Sequence, residues 1–112
     1  MPPRVIMLCT GTPAPDMAHW GSSFLVGIGD EWLMFDCGHG ANYKLHKAGF
    51  QSTQIDKMFF THHHSDHDAD YPSFLLTRFD MSIGKESELE VYGPKLTEQL
   101  TDRLLGEPNG AY

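Results

Sequence analysis

The chain has 112 residues, 40% of them hydrophobic, with 15 acidic side chains against 8 basic ones and a formal charge of −7. That length suits one domain rather than two, and the mixed composition is globular, not disordered. The acidic balance speaks against a general nucleic-acid binder, whose affinity would rest on a basic surface.

No apolar run reaches membrane-spanning length, and no basic segment precedes an apolar one at the start. A cytoplasmic protein without membrane contact is therefore expected. The two cysteines, Cys9 and Cys37, form no CxxC pair and read as buried free thiols beside strands.

In chain order, Arg4 to Cys9 (RVIMLC) is a continuous apolar run of the kind found in buried strands. A Gly/Pro-rich loop follows it. Ser23 to Ile28 and Trp32 to Asp36 read as two strands joined by a Gly29-Asp30 hairpin turn. The segment CGHGANYKLHKAG leads through glycines into a short helix, with Ala41, Leu45 and Ala48 on one face and Gly49 as its stop. Lys57 to Thr61 is a short buried strand. YPSFLLTRF is a helix with Pro72 near its first turn and Leu75, Leu76 and Phe79 facing inward. ELEVY alternates, with Leu89 and Val91 inward and Glu88 and Glu90 outward. Pro94 opens a last helix with a Leu96, Leu100, Leu104 stripe, followed by Gly106. The order β-ββ-α-β-α-β-α gives an α/β layered domain with a mixed sheet.

The densest chemistry lies in THHHSDH, directly after the fourth predicted strand. Residues two apart on extended backbone share a side, so His62 and His64 can converge while His63 points away. Asp66 and His67 follow where the loop must turn and can address a second point. Imidazole nitrogen and carboxylate oxygen are ligands that Zn²⁺ accepts. Two metals held about 3.5–4 Å apart can activate a water and clamp a hydrolytic transition state. A tag-like accident or a solvated polar loop explains the ligand spacing less well.

THHHSDH resembles the HxHxDH signature of the metallo-β-lactamase superfamily. LCTGTPAPD, GSSFLV, LMFDCGHG and VYGP resemble the opening of its ribonuclease Z-like branch. The resemblance implies the N-terminal half of an αββα sandwich with metals between its two sheets. It implies His62 and His64 as ligands of a first zinc and Asp66 and His67 as ligands of a second, with manganese or iron as alternatives. It also gives Asp66 a catalytic part in activating water or moving a proton. Asp36 of FDCG would order the metal loop, or cap the Gly38–Gly40 turn. His39 reads as a rim residue, His19 lies in a loop that could border the cleft, and His46 falls on the outer, solvated helix face.

The family completes its site with two later histidines and a bridging aspartate, yet no histidine follows His67. The expectation is therefore a single partial domain, residues 1–112, lacking the family's C-terminal half. A bare apolar sheet face should result, to be covered by a second copy in a homodimer or by the missing half. Two functions follow. One is a zinc-dependent, ribonuclease Z-like hydrolase acting on a phosphodiester or a small related ester, with nucleic acid not favoured by the charge. The other is a non-catalytic half-domain or assembly module that needs a second copy or the missing half to complete its metal site. Whether the chain alone is an enzyme is left open by its lack of the downstream ligands.

Overall fold

The computed structural model describes residues 2–11, 20–82, 87–107 and 110–112. The strands are β1 (Arg4–Cys9), β2 (Ser23–Ile28), β3 (Glu31–Phe35), β4 (Lys57–Phe59) and β5 (Glu90–Tyr92). The helices are α1 (Ala41–Lys47), α2 (Ser65–Asp68), α3 (Tyr71–Ser82) and α4 (Leu96–Leu105), with a 3-10 turn at Ser52–Gln54. The strands form one mixed sheet in the order β1-β2-β3-β4-β5. β1, β2 and β3 pair antiparallel, β2 and β3 through a short hairpin turn; β4 and β5 are added parallel, after helical crossovers. This is the expected α/β arrangement, and Gly29 takes the left-handed conformation that the β2–β3 turn demands (φ +59°).

Strand register divides the sheet into two unlike faces. Ile6, Leu25, Met34, Met58 and Val91 form a row across all five strands. Leu25, Met34 and Met58 are fully buried there, in one core with Leu45 of α1, Ile55, and Tyr71 and Phe74 of α3. The neighbouring row, Met7, Phe24, Phe35, Phe59 and Tyr92, lies on the opposite face. Its four aromatic rings stack at centroid spacings of 5.0, 4.9 and 4.9 Å. Met7 is 58% exposed and Tyr92 46%. The bare apolar face expected from the sequence is present. β1 is accordingly an edge strand with Val5 and Met7 outward, not the buried strand its apolar run suggests.

Three helical faces differ from expectation. On α3 the buried side chains are Tyr71, Phe74 and Arg78, while Phe79 is exposed and Leu75 and Leu76 are half-buried. Arg78 turns inward because its guanidinium meets acceptors there: it donates to the carbonyls of Ser52, Ile55 and Ser87. Such pairing lets a charged group replace a leucine in the interior. On α4 the buried position is Thr97 and Leu96 is half exposed, while Leu100 and Leu104 of the expected stripe pack against the core. On α1, Ala41 and Leu45 are buried as expected but Ala48 is exposed, with Gly49 ending the helix at φ +96°. Both cysteines are free and buried.

Candidate metal centre

Two segments build the site. The first is the turn leaving β3. Asp36 adopts φ +62°, a left-handed conformation that a short polar side chain tolerates better than most. Its amide donates to the Phe59 carbonyl at 2.7 Å, and Ser23 Oγ donates to its carbonyl at 2.8 Å. The carboxylate, 3% exposed as a residue, is turned toward the end of β4. There it accepts from the Thr61 amide at 2.8 Å and from Thr61 Oγ1 at 2.8 Å. It also accepts from His67 Nδ1 at 2.7 Å.

The second segment is the cluster itself, at the carboxyl end of β4, where α/β sheets place their sites. The backbone around His64 is extended (φ −94°, ψ 157°), and the chain then closes into the single turn of α2, which the sequence reading missed. The alternation expected of His62, His63 and His64 is present: the His62 and His64 rings are neighbours, 4.6 Å between centroids, and His63 is buried on the other side. The His62 and His67 rings lie 4.0 Å apart, and His67 Nε2 is 3.3 Å from Asp66 Oδ2.

Backbone bonds lock the two segments together. Ser22 N–H donates to the Asp66 carbonyl and Cys37 N–H to the His67 carbonyl, each at 2.7 Å. This close approach requires two glycines. A Cβ on Gly38 would stand 2.1 Å from the Asp66 carbonyl oxygen, and one on Gly21 would stand 2.6 Å from the His39 nitrogen. The glycines of HWGSS and FDCGHG thus have a packing reason that no periodicity reveals.

Hydrogen bonds also orient the rings. The Asp36 carboxylate can only accept, so His67 carries a proton on Nδ1, while its Nε2 faces the Asp66 carboxylate at 3.3 Å. Thr61 Oγ1 gives its own proton to Asp36 and so accepts from His62 Nδ1 at 3.1 Å, leaving Nε2 of the His62 ring open. Thr61 was not singled out from sequence; its position as the residue before the first histidine was the signal. The Asp36 carboxylate is engaged by Thr61 and His67, joining the β3 turn to the histidine loop.

The donors suit a cation. Asp66 Oδ1 is buried without a hydrogen-bond partner among the described residues, the state of an acceptor oxygen that a positive charge would satisfy. Imidazole nitrogens beside a carboxylate match zinc and, equally, manganese or iron. Among the described residues, however, no three His, Cys, Asp or Glu side chains focus on one metal-sized point. The four donors share a patch rather than a finished coordination sphere.

The remaining histidines are less central. His39 is half-buried beside Trp20, at 6.3 Å between rings. It also lies near Asp70, whose carboxyl burial pushes above the usual carboxylate range while the Asn42 amide and His39 pull it back. His46 is half-buried with Nε2 lacking a partner among the described residues, not the solvated side chain expected. His19 lies outside the described residues.

The profile of the family described as "Anti-Pycsar protein Apyc1" matches residues 3–106. A ribonuclease Z from Mycobacterium sp. (strain KMS) is 34% identical over 102 residues, covering 91% of this chain and 36% of that protein. A ribonuclease Z from Methanosarcina mazei is 32% identical, covering 97% of this chain and again 36% of the relative. Among solved structures, the metallo-β-lactamase fold protein YhfI from Bacillus subtilis superposes with a TM-score of 0.78 at 26% identity, over 94% of this chain and 43% of that one. Human tRNase Z, short form, superposes with a TM-score of 0.75 at 31% identity, over 89% and 38%. The chain therefore spans about a third of the length of the curated relatives it matches.

Proposed function

The chain belongs to the Anti-Pycsar protein Apyc1 family, in the ribonuclease Z-like branch of the metallo-β-lactamase superfamily, and from that membership we propose that it serves metal-dependent hydrolysis of a phosphodiester or related ester. The observation that carries the reading is the gathering of His62, His64, Asp66 and His67 at the end of β4, with Asp36 and Thr61 turning the Nε2 atoms of His67 and His62 outward. His62 and His64 would hold one zinc, and Asp66 and His67 a second, with manganese or iron as alternatives. When bound, such a group supplies Lewis acidity and activates a water for attack. We assign to the Asp66 carboxylate, 3.3 Å from His67 Nε2, the part of orienting that water or taking its proton. Asp36 and Thr61 keep the imidazoles in the tautomers that ligation needs.

The substrate class follows from the relatives' name, ribonuclease, which denotes cleavage of a phosphodiester. The net charge of −7 favours a small phosphodiester or ester over a long nucleic acid for the chain by itself. A second reading, a half-domain that acts only when completed, is favoured by the open aromatic face. A further sheet layer, from a C-terminal half or from a second copy of this chain, would cover that face and could bring the remaining ligands.

Metal content by elemental analysis, measured with molar mass in solution and hydrolysis of bis(p-nitrophenyl) phosphate, tests both readings. Two metals per chain with turnover, abolished in Asp66→Ala/His67→Ala, is the expected result for the hydrolase. Full turnover in that double variant would refute the site. Metal-free, inactive chains would favour the half-domain.

A further inference from the structure

The middle histidine of the cluster takes no part in the proposed ligand set, yet it is the most enclosed of the three. The His63 side chain is 2% exposed. Its Nδ1 donates to Asp68 Oδ2 at 2.9 Å, and its Nε2 accepts from the Thr97 hydroxyl at 2.7 Å. The acidic partner sets that tautomer, since a carboxylate has no proton to offer. Phe60 packs against the ring at 4.8 Å and meets Tyr71 edge-on at 4.9 Å.

The contact continues into the helices. Thr97 is buried at the start of α4, and Thr101 Oγ1 donates back to the Thr97 carbonyl at 2.9 Å. Thr101 Oγ1 also shares a hydrogen bond with the Tyr71 hydroxyl of α3 at 2.9 Å. Space has been cleared for the Thr97 hydroxyl: a Cβ on Gly93 would stand 2.3 Å from Oγ1. The loop is thus tied at its centre to α4, and through α4 to α3.

We propose that His63 is a positioning residue. Held at both ring nitrogens between Asp68 and Thr97, it fixes the backbone from His62 to His64. The two flanking imidazoles therefore leave the loop in set directions before any metal arrives. The inference rests on the reading of His62 and His64 as a ligand pair. Its physical basis is preorganisation: a loop already ordered does not lose its conformational freedom when the metal binds.

Thr97→Val removes the hydroxyl at nearly constant shape, and Thr97→Ser restores it. Amide hydrogen exchange in the metal-free protein is the first readout. In Thr97→Val, exchange of the 62–68 amides should accelerate roughly tenfold, the value of one net hydrogen bond. The Leu25 and Met34 amides should hold, and Thr97→Ser should exchange as wild type does. Titration with Co²⁺ should then show affinity lowered roughly tenfold or more in Thr97→Val and recovered in Thr97→Ser. Unchanged exchange in the loop, or equal acceleration of loop and sheet, would overturn the inference. Where wild type takes up no Co²⁺, the ligand reading falls, while the exchange comparison still decides the strut. Should Thr97→Val fail to fold, long-range ¹H–¹⁵N spectra of wild type decide instead. A protected Nδ1–H on a neutral His63 supports the strut, and a freely exchanging one refutes it.

Discussion

Replacing Asp36 by asparagine should separate stability from metal affinity at this site. The shape is kept, and asparagine tolerates the φ of +62° found there, so the backbone gives no reason for change. One side-chain oxygen can still accept from the Thr61 amide. The new NH₂ group then faces His67 Nδ1, 2.7 Å away, where a proton already sits. Two donors cannot share that distance, so the amide must flip or the histidine must move its proton to Nε2. A flip turns the same conflict onto the Thr61 amide, at about 1–3 kcal/mol for an orphaned buried donor. Moving the proton lets the NH₂ group donate to Nδ1, and the exposed Thr61 hydroxyl, which had donated to the same atom, turns to solvent; with the charge assistance lost, the cost is about 1–2 kcal/mol. The second route is favoured, and it occupies the nitrogen proposed for the metal. Urea denaturation of the metal-free protein should therefore show a loss of about 1–2 kcal/mol. Metal affinity should fall roughly 10–100-fold. Long-range ¹H–¹⁵N spectra should report His67 as the Nε2–H tautomer. A variant that keeps the Nδ1–H tautomer and wild-type metal affinity would refute the reasoning.

Gly38→Ala is expected to be far more damaging than its size suggests, because the added carbon would stand 2.1 Å from the Asp66 carbonyl. Something must move, and the obstacle is backbone, so a loss of about 2–4 kcal/mol is expected by urea titration. A cost under about 0.5 kcal/mol would mean that the loop does not approach the turn as described. The buried thiols give an alkaline prediction. Burial pushes the Cys9 thiol up to about 11 and the Cys37 thiol well above its usual value. Both are raised relative to the unfolded chain, so their contribution to stability is complete below about pH 8.5 and is lost as the pH rises past it. The urea midpoint should fall from about pH 8.5 toward 11, and less steeply in Cys9→Ala/Cys37→Ala. Equal slopes in the two proteins would place the alkaline loss elsewhere.

Much of this was legible in the sequence, for identifiable reasons. Strand alternation placed Leu89 and Val91 inward and the glutamates outward, because apolar and charged residues alternate cleanly in that segment. The HHHSDH spacing likewise separated His63 from its neighbours. What escaped depended on contacts far along the chain. Arg78 is buried because the carbonyls of Ser52, Ile55 and Ser87 receive it, a fact that α3 alone cannot encode. β1 reads as buried because its apolar run is continuous, yet half of that run serves a face left open. The bond between Thr61 and Asp36, and the glycine clearances at Gly21 and Gly38, join segments separated by tens of residues. No local pattern marks them.

The mixed sheet bears on the order in which the molecule can assemble. β2 and β3 are adjacent in sequence and meet through a two-residue turn, so their pairing closes a very short loop. β4 and β5 pair parallel, and each must wait for an intervening stretch of helix to be accommodated. The histidine cluster follows β4 and is tied back to Ser22 and Cys37. The hairpin therefore provides an early template, and the ligand loop takes shape among the late, non-local contacts. Slow folding in this chain should show most clearly at the residues from His62 to His67.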